Sequence, residues 1–484
     1  MMERAAKSAA LHRCSQMSEL PSHPLQRPLP DSAAAGGDRT IPGESRTIPL
    51  WLLLVGRAAV HRHWHLLLVA GLVCAVLGGV VVVDALDGAL HVPDRWFGIL
   101  LLADGAGSLA AGIAAVGAAR RLRLLKGAVL LVMAVLIVMA TRHSVFLLAM
   151  IFGTAFLIDG TIRMVIAYLL RFPGWRASAA LGAFGIMFGL FHLQPWPTWY
   201  AGTVGYCIGM FLILNGARLA LAGLRTRRLS VGVSPAAAST LDSLTVYAWT
   251  PTGHASTPAR QRLVRRYVAA VDARGVLSTG HAALEQGSDL YISHYPAVEI
   301  DRSMTNLRSQ LRAGSQNDVP GRFLTSYRAE ADDWCEATVA VTLSGIDATR
   351  LRAFWQSYRQ DTTYNFIGRN CSTAVARALD AAVEGVFARS GHPWRRLAVA
   401  VTTPEFWAAA VLRNGAASMT WTPGLVLDYS RALSVLVDPV ASHSTMAWAS
   451  VGRRFIRHPR IGSLIGWFRM AKRRPVQGAG STEA

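Results

Sequence analysis

The chain has 484 residues, 52% of them hydrophobic and only 16% charged. That is too apolar for a purely soluble protein and divides it into a membrane part and a soluble part. The formal net charge of +20 does not point to nucleic acid, because many arginines flank apolar segments or crowd the C-terminal end instead of forming one basic surface. Of the five cysteines, Cys74 and Cys207 lie in apolar segments and Cys14 in a polar tail, so no disulfide framework is implied.

Residues 1–48, rich in Ser, Pro, Ala and Gly and without an early apolar run, read as a disordered cytoplasmic tail. Six apolar stretches follow within a membrane domain of residues 49–228, at 64–86, 96–118, 124–141, 144–170, 177–194 and 199–224. At about 1.5 Å of rise per residue each is long enough to cross a hydrocarbon core as a helix. The third is the least apolar, because Lys126 must snorkel. Positive residues gather at Arg120, Arg121, Arg123 and Lys126, at Arg171 and Arg176, and at Arg225, Arg227 and Arg228, whereas the alternate loops hold only Arg95 and Arg142 and are acidic at Asp84, Asp87 and Asp94. By the positive-inside rule both termini face the cytoplasm.

A short pattern recurs in the even-numbered stretches: Leu102-Ala103-Asp104-Gly105, Leu157-Ile158-Asp159-Gly160 and Ile213-Leu214-Asn215-Gly216. The membrane domain therefore reads as three copies of a helical hairpin. Burying an Asp in a span costs roughly 2.5–3.5 kcal/mol, so Asp104 and Asp159 should face the bundle interior, each following Gly letting a neighbouring helix approach. An interhelical hydrogen-bond clamp and a proton or ion path are both open. Asn215 cannot titrate, which favours the clamp. Three hairpins with Asp-Gly or Asn-Gly in each second helix resemble the HdeD-like family of bacterial inner-membrane proteins, over about residues 50–225. The resemblance implies an inner-membrane location and an association with acid resistance, and no defined reaction.

Residues 229–257, with Ser, Thr, Pro and Ala in excess, read as a linker into an α+β domain at 258–440. After a helix at 258–273 come strand-like runs Val276–Glu285 and Asp289–Tyr295, separated by Gln286-Gly287-Ser288 as a hairpin turn. They carry His281 and His294. A strand at Ala337–Leu343 and a helix at about 347–360 lead to Tyr364-Asn365-Phe366-Ile367-Gly368-Arg369-Asn370-Cys371. Asn370 is a natural N-cap for an amphipathic helix from Cys371 to Val383. Cys371 thus falls in a first turn, where helix N–H groups and a nearby imidazole lower a thiol's pKa and make a thiolate nucleophile. The bland alternative is a buried small hydrophobe.

A strand with Gly280-His281-Ala282, a second strand with a polar residue, and Asn370-Cys371-Ser372 opening a helix resemble the circularly permuted papain-like fold, which includes NlpC-type peptidases and the lecithin retinol acyltransferase group, over about residues 255–385. The resemblance implies Cys371 as nucleophile, His281 as general base and His294 as the third residue orienting the imidazole. His254, in the linker, competes for either histidine role. Cys335 is the alternative cysteine, but its spacing to Cys371 fits no zinc pattern, and no metal or cofactor is expected. The segment Ala398–Leu412, interrupted by Pro404 and Glu405, reads as a packing or pocket helix, and the basic, aromatic tail at 441–484 as a membrane-surface segment.

The fold class expected is a multidomain membrane protein: an all-α six-helix transmembrane bundle plus an α+β permuted papain-like domain. The function expected is a membrane-anchored thiol hydrolase or acyltransferase acting on an amide, ester or thioester. Its expected partners are membrane lipid and a peptide or acyl substrate, with a homo-oligomer formed through the spans as a further option. The rivals are a non-enzymatic acid-stress protein with a degenerate binding module, and the same enzyme turned outward toward cell-wall peptide.

Overall fold

A computed structural model describes residues 48–437 except 88–94, 115–116, 140, 173, 197–199, 228–241, 250–269, 272–276, 279, 299, 301–311, 334–335 and 418. The protein is mostly helical with a small sheet region, and its described residues fall into two compact units, one within 48–87 and 141–437 and the other within 95–139. Two short helices, α1 (Leu50–Val55) and α2 (Arg57–Arg62), precede α3 (Trp64–Asp87), α4 (Arg95–Ala114), α5 (Gly117–Met139), α6 (Arg142–Leu170), α7 (Trp175–Leu193) and α8 (Thr203–Arg227). Helices α3, α6, α7 and α8 are long and apolar enough to cross a membrane, as in a multi-pass membrane protein. In the second unit α4 and α5 pack as a hairpin, with Arg120, Arg121, Arg123 and Lys126 in the first half of α5.

Glycines set the helix pairing. On α8, Gly202, Gly209, Gly216 and Gly223 recur every seventh residue from the turn just before the helix, and a Cβ on them would meet the carbonyls of Ala85, Gly78, Gly71 and Trp64 at 2.6–2.8 Å. Helices α6 and α7 do the same through Gly153 and Gly160 against Gly189 and Gly182. A seven-residue repeat of small side chains holds one stripe of each helix against its neighbour, so the backbones meet where lipid would otherwise intervene.

The glycines of the repeated Asp-Gly pattern behave as expected; the carboxylates do not. Asp159 is more than half exposed and pairs along its own helix with Arg163 at 2.6 Å, and Asn215 donates to its own Phe211 carbonyl. Asp104 pairs with Lys126 across the α4–α5 hairpin at 3.1 Å, an interhelical clamp, yet is itself nearly half exposed. A neighbouring cation on the same surface satisfies each carboxylate, so interior burial is not needed.

The sheet region is antiparallel. One sheet has the order β5–β4–β1–β8, from β1 (Ser243–Trp249), β4 (His281–Gln286), β5 (Leu290–Ile292) and β8 (Val339–Ser344), after the two-residue pair β2 (Ala270–Val271) and β3 (Leu277–Ser278). A second has the order β6–β7–β9, from β6 (His294–Pro296), β7 (Val319–Phe323) and β9 (Thr363–Tyr364). The β4–β5 hairpin turns at Gly287 (φ 63°), as its turn residues require. The run to Tyr295 is not one strand: it breaks at Ser293, and His294 passes into the second sheet. Helices α9 (Tyr327–Asp333), α10 (Ala348–Tyr358), α11 (Cys371–Val383), α12 (Pro393–Ala400), α13 (Pro404–Ala417) and α14 (Pro423–Val437) complete the domain. Pro404 splits the expected 398–412 helix into α12 and α13.

Two expected boundaries are corrected. The linker at 229–257 contains β1, which pairs with both β4 and β8; its Leu, Val and Ala face inward in strict alternation with Thr and Tyr, a strand signal masked by polar flanks. The segment before the first span is also not part of the bundle. Leu50, Leu52, Leu53, Leu54 and Val55 are buried in the same core as Leu244, Ile292, Leu379 and Leu433. The carbonyls of Leu53 and Leu54 accept from the N–H groups of Gly385 and Phe387, and Arg57 pairs with Glu384 at 3.1 Å. One core is thus built from chain on both sides of the apolar helices.

Candidate active site

Helix α11 begins where it was expected. Asn370 accepts at Oδ1 from the Thr373 N–H (2.8 Å), and its Nδ2 donates to the carbonyls of Phe366 and Trp421 and to Thr420 Oγ1. This N-cap is rigid, and it fixes Cys371 in the first turn. The preceding loop is closed by Asn365, whose side chain accepts from the N–H groups of Ile367 and Gly368, and by Arg369, which donates to the carbonyls of Tyr358, Asp361 and Thr363.

The Cys371 thiol is buried and hydrogen-bonds to His281, the first residue of the central strand β4; the N–H of Ala282 donates to the same sulfur, and Ser372 Oγ lies 3.7 Å away. His281 pairs in register with Trp249 of β1 and stacks on Tyr295 at 4.1 Å between ring centroids. Its Nε2 lies 3.1 Å from Glu330 Oε1 and 2.9 Å from Ser293 Oγ. Glu330, on α9 and 2% exposed, receives the hydroxyls of Tyr291 (2.5 Å) and Tyr295 (2.8 Å), while Tyr327 beside it on α9 stacks on Tyr247 of β1.

Burial alone would raise the Cys371 pKa and lower that of His281. The pair reverses both: the charge and hydrogen bond of the ring pull the thiol below its ordinary range, aided by Ala282 N–H and Ser372, while Glu330 and the sulfur raise the imidazole. The direction is toward thiolate and imidazolium. Burial and the Glu330 charge push the hydroxyls of Tyr291 and Tyr295 far above their usual range, so they remain donors.

His281 and Cys371 thus meet as the sequence anticipated, whereas His294 does not join them. It is fully buried in the second sheet, with Nδ1 near the Tyr358 hydroxyl (3.2 Å) and Nε2 near the Thr362 carbonyl (3.4 Å). Burial, with the nearby Arg369 charge, lowers its pKa to about 4, so the ring is neutral at neutral pH. The strand break at Ser293 carries it into the second sheet, and the polar side chain that lies against the His281 ring is Glu330. Nothing in Ser326-Tyr327-Arg328-Ala329-Glu330 marks that residue, because a glutamate in a short polar helix reads as surface. Cys14, His254, Cys335, the N-terminal tail and the basic C-terminal tail lie outside the described residues; of the helix expected at 258–273 only Ala270 and Val271 are described, and they form strand β2, not helix.

Among the described residues no group of three or more His, Cys, Asp and Glu is arranged to hold a metal ion. A second Cys–His contact, Cys207 Sγ to His192 Nε2 at 3.3 Å, joins α7 and α8 among aromatic rings.

The model of a family described as the Lnb N-terminal periplasmic domain matches residues 320–401. That stretch runs from β7 to the end of α12 and contains Glu330 and Cys371, with His281 on its N-terminal side. No curated protein and no solved structure matches the chain.

Proposed function

We propose that the protein is a membrane-anchored cysteine hydrolase or acyltransferase in which Cys371, His281 and Glu330 are nucleophile, general base and orienting carboxylate. The observation that carries this reading is the buried relay from sulfur to imidazole to carboxylate, with the thiol pKa lowered and the imidazole pKa raised. A structural cysteine would sit in apolar packing with its pKa raised and need no such partners. In this reading the Cys371 thiolate attacks the carbonyl carbon of an amide, ester or thioester, the first-turn N–H groups of α11 hold the developing oxyanion, and His281 protonates the leaving group. Water or an acceptor nucleophile, deprotonated by His281, then releases the acyl group from sulfur. Glu330 keeps the ring oriented and favours its charged form, as the third member of such triads does.

The permuted papain-like fold and the HdeD-like six-span bundle remain part of this proposal. Support for the first is the order of His-bearing strand before Cys-bearing helix, and for the second the helices found at all six apolar stretches. On the charge bias of the loops we place the catalytic domain on the cytoplasmic face of the inner membrane. One observation favours the outward-facing reading: the matched family is described as periplasmic. Reporter fusions after residue 437 separate the two, since a phosphatase active only in the periplasm and a fluorescent protein active only in the cytoplasm give opposite outcomes.

The enzymatic reading is tested by labelling full-length protein in membranes with an electrophilic thiol probe. Fast labelling that disappears in both Cys371→Ala and His281→Ala is the expected result. Labelling of Cys371 no faster than that of a model thiol leaves the non-enzymatic stress-protein reading in its place.

A further inference from the structure

Outside helices α3 to α8, the large apolar side chains that stand exposed among the described residues are Trp196, Val298, Trp394, Val399, Trp407, Val411 and Val435. Four of the seven lie on α12 and α13. The exposed positions of these helices are Trp394, Arg395, Ala398, Val399, Trp407, Val411, Asn414 and Ala417, whose single charge is positive; the acidic residue there, Glu405, is buried. Val411 is 68% exposed and Trp407 47%. The Trp407 indole N–H donates to the Val401 carbonyl in the turn between the helices, so its polar atom is satisfied while the ring stays outside. Burying the apolar part of such a face in water-excluding surroundings is favourable at about 25 cal/mol per Å², and of its exposed positions only Arg395 and Asn414 are polar.

The position of the face identifies what meets it. Helix α12 packs on α1, and the Trp394 ring stands edge-on to His63 with centroids 6.0 Å apart. His63 immediately precedes Trp64, the first residue of span α3, and Arg227, the last residue of span α8, lies over the Trp64 ring. The α12–α13 face therefore continues from the boundary at which the chain enters and leaves the bilayer. Tryptophan, aliphatic residues and arginine without acidic neighbours are the composition of a surface lying at the headgroup level.

We infer that the exposed face of α12 and α13 rests in the interface of the phospholipid bilayer crossed by the protein's own spans, with Trp407 and Val411 among the acyl chains and Arg395 at the phosphates. This seats the soluble domain on the membrane independently of whether Cys371 is catalytic.

Photocrosslinking tests it. Full-length protein carrying p-benzoylphenylalanine in place of Trp407, Val411 or Gln356 (an exposed residue of α10) is reconstituted in phosphatidylethanolamine–phosphatidylglycerol vesicles, irradiated and analysed by intact mass. Phospholipid adducts at 407 and 411 and none at 356 are expected. A Trp407→Ser, Val411→Ser variant, whose exposed positions leave the core intact, should carry less lipid through detergent exchange. Absence of lipid adducts at 407 and 411, equal adducts at 356, or crosslinks at 411 to a second copy of the chain or to another protein would each overturn the inference.

Discussion

His281 Nε2 lies 3.1 Å from a carboxylate oxygen of Glu330, and both groups are almost wholly buried. Two tyrosine hydroxyls and a serine close the remaining positions around them. The carboxylate raises the imidazole, and the imidazole lowers the thiol on its other side. Glu330 therefore acts on the sulfur without touching it.

Replacing Glu330 by Gln keeps one of the two oxygens that accept from Tyr291 and Tyr295 and removes the charge. The pH at which Cys371 becomes half-alkylated should rise, and since one pKa unit is about a factor of ten in thiolate at lower pH, labelling near pH 6 should slow about tenfold. Full-length protein assayed across pH gives the profile. An unshifted profile would show that the carboxylate plays no part in tuning the thiol.

His294 should behave as a structural residue. Its folded pKa of about 4 lies below the 6.5 of an unfolded chain, so the unfolded state binds the extra proton between those values. The stability it confers is complete above about pH 6.5 and is lost progressively as pH falls toward 4, amounting to roughly 3 kcal/mol at most. His294→Gln should lower the melting temperature at neutral pH and flatten the decline on acidification, while the Cys371 labelling profile keeps its midpoint. A midpoint that moves as far as in Glu330→Gln would restore His294 to the site.

The segment before the first span should be required for the soluble domain. A fragment beginning at residue 229 lacks the five buried side chains Leu50 and Leu52–Val55, each worth about 1.5–3 kcal/mol when fully buried. It should be insoluble or molten, and recover a cooperative thermal transition when residues 46–62 are fused to it. Gly56 makes the point within the intact chain: its φ is 92° and a Cβ would lie 2.7 Å from the Gly385 Cα. Gly56→Val should cost more than 1–3 kcal/mol of backbone strain, read as a lower melting temperature, whereas Gly79→Val, which has open space around it, should not.

The glycine repeat predicts pairing within the membrane. Gly216→Leu or Gly160→Leu inserts a side chain where a backbone carbonyl stands 2.6 Å from the Cβ position, and should lower the yield of folded protein and its resistance to detergent unfolding. An equally large residue at the exposed Leu214 position serves as the comparison. Equal tolerance at 216 and 214 would mean that the contact does not hold the helices together.

The sequence by itself determined the local features: six apolar helices, the β4–β5 hairpin, and a helix capped by Asn370 that presents Cys371. Each is written in residues a few positions apart, where hydrophobic periodicity, turn glycines and capping side chains act within one turn or one strand. His281 was legible for the same reason, through its place in a patterned strand before that helix. Tertiary structure alone decided which polar residue lies against His281, because Glu330 reaches it across elements distant in sequence and a break at Ser293 carries the more conspicuous His294 into the second sheet. It also decided that Leu50–Val55 and Ser243–Trp249, one drawn from beside the spans and the other from an apparent linker, belong to a single core. Contacts of that kind depend on which faces the folded chain brings together, and such faces leave no mark at neighbouring positions.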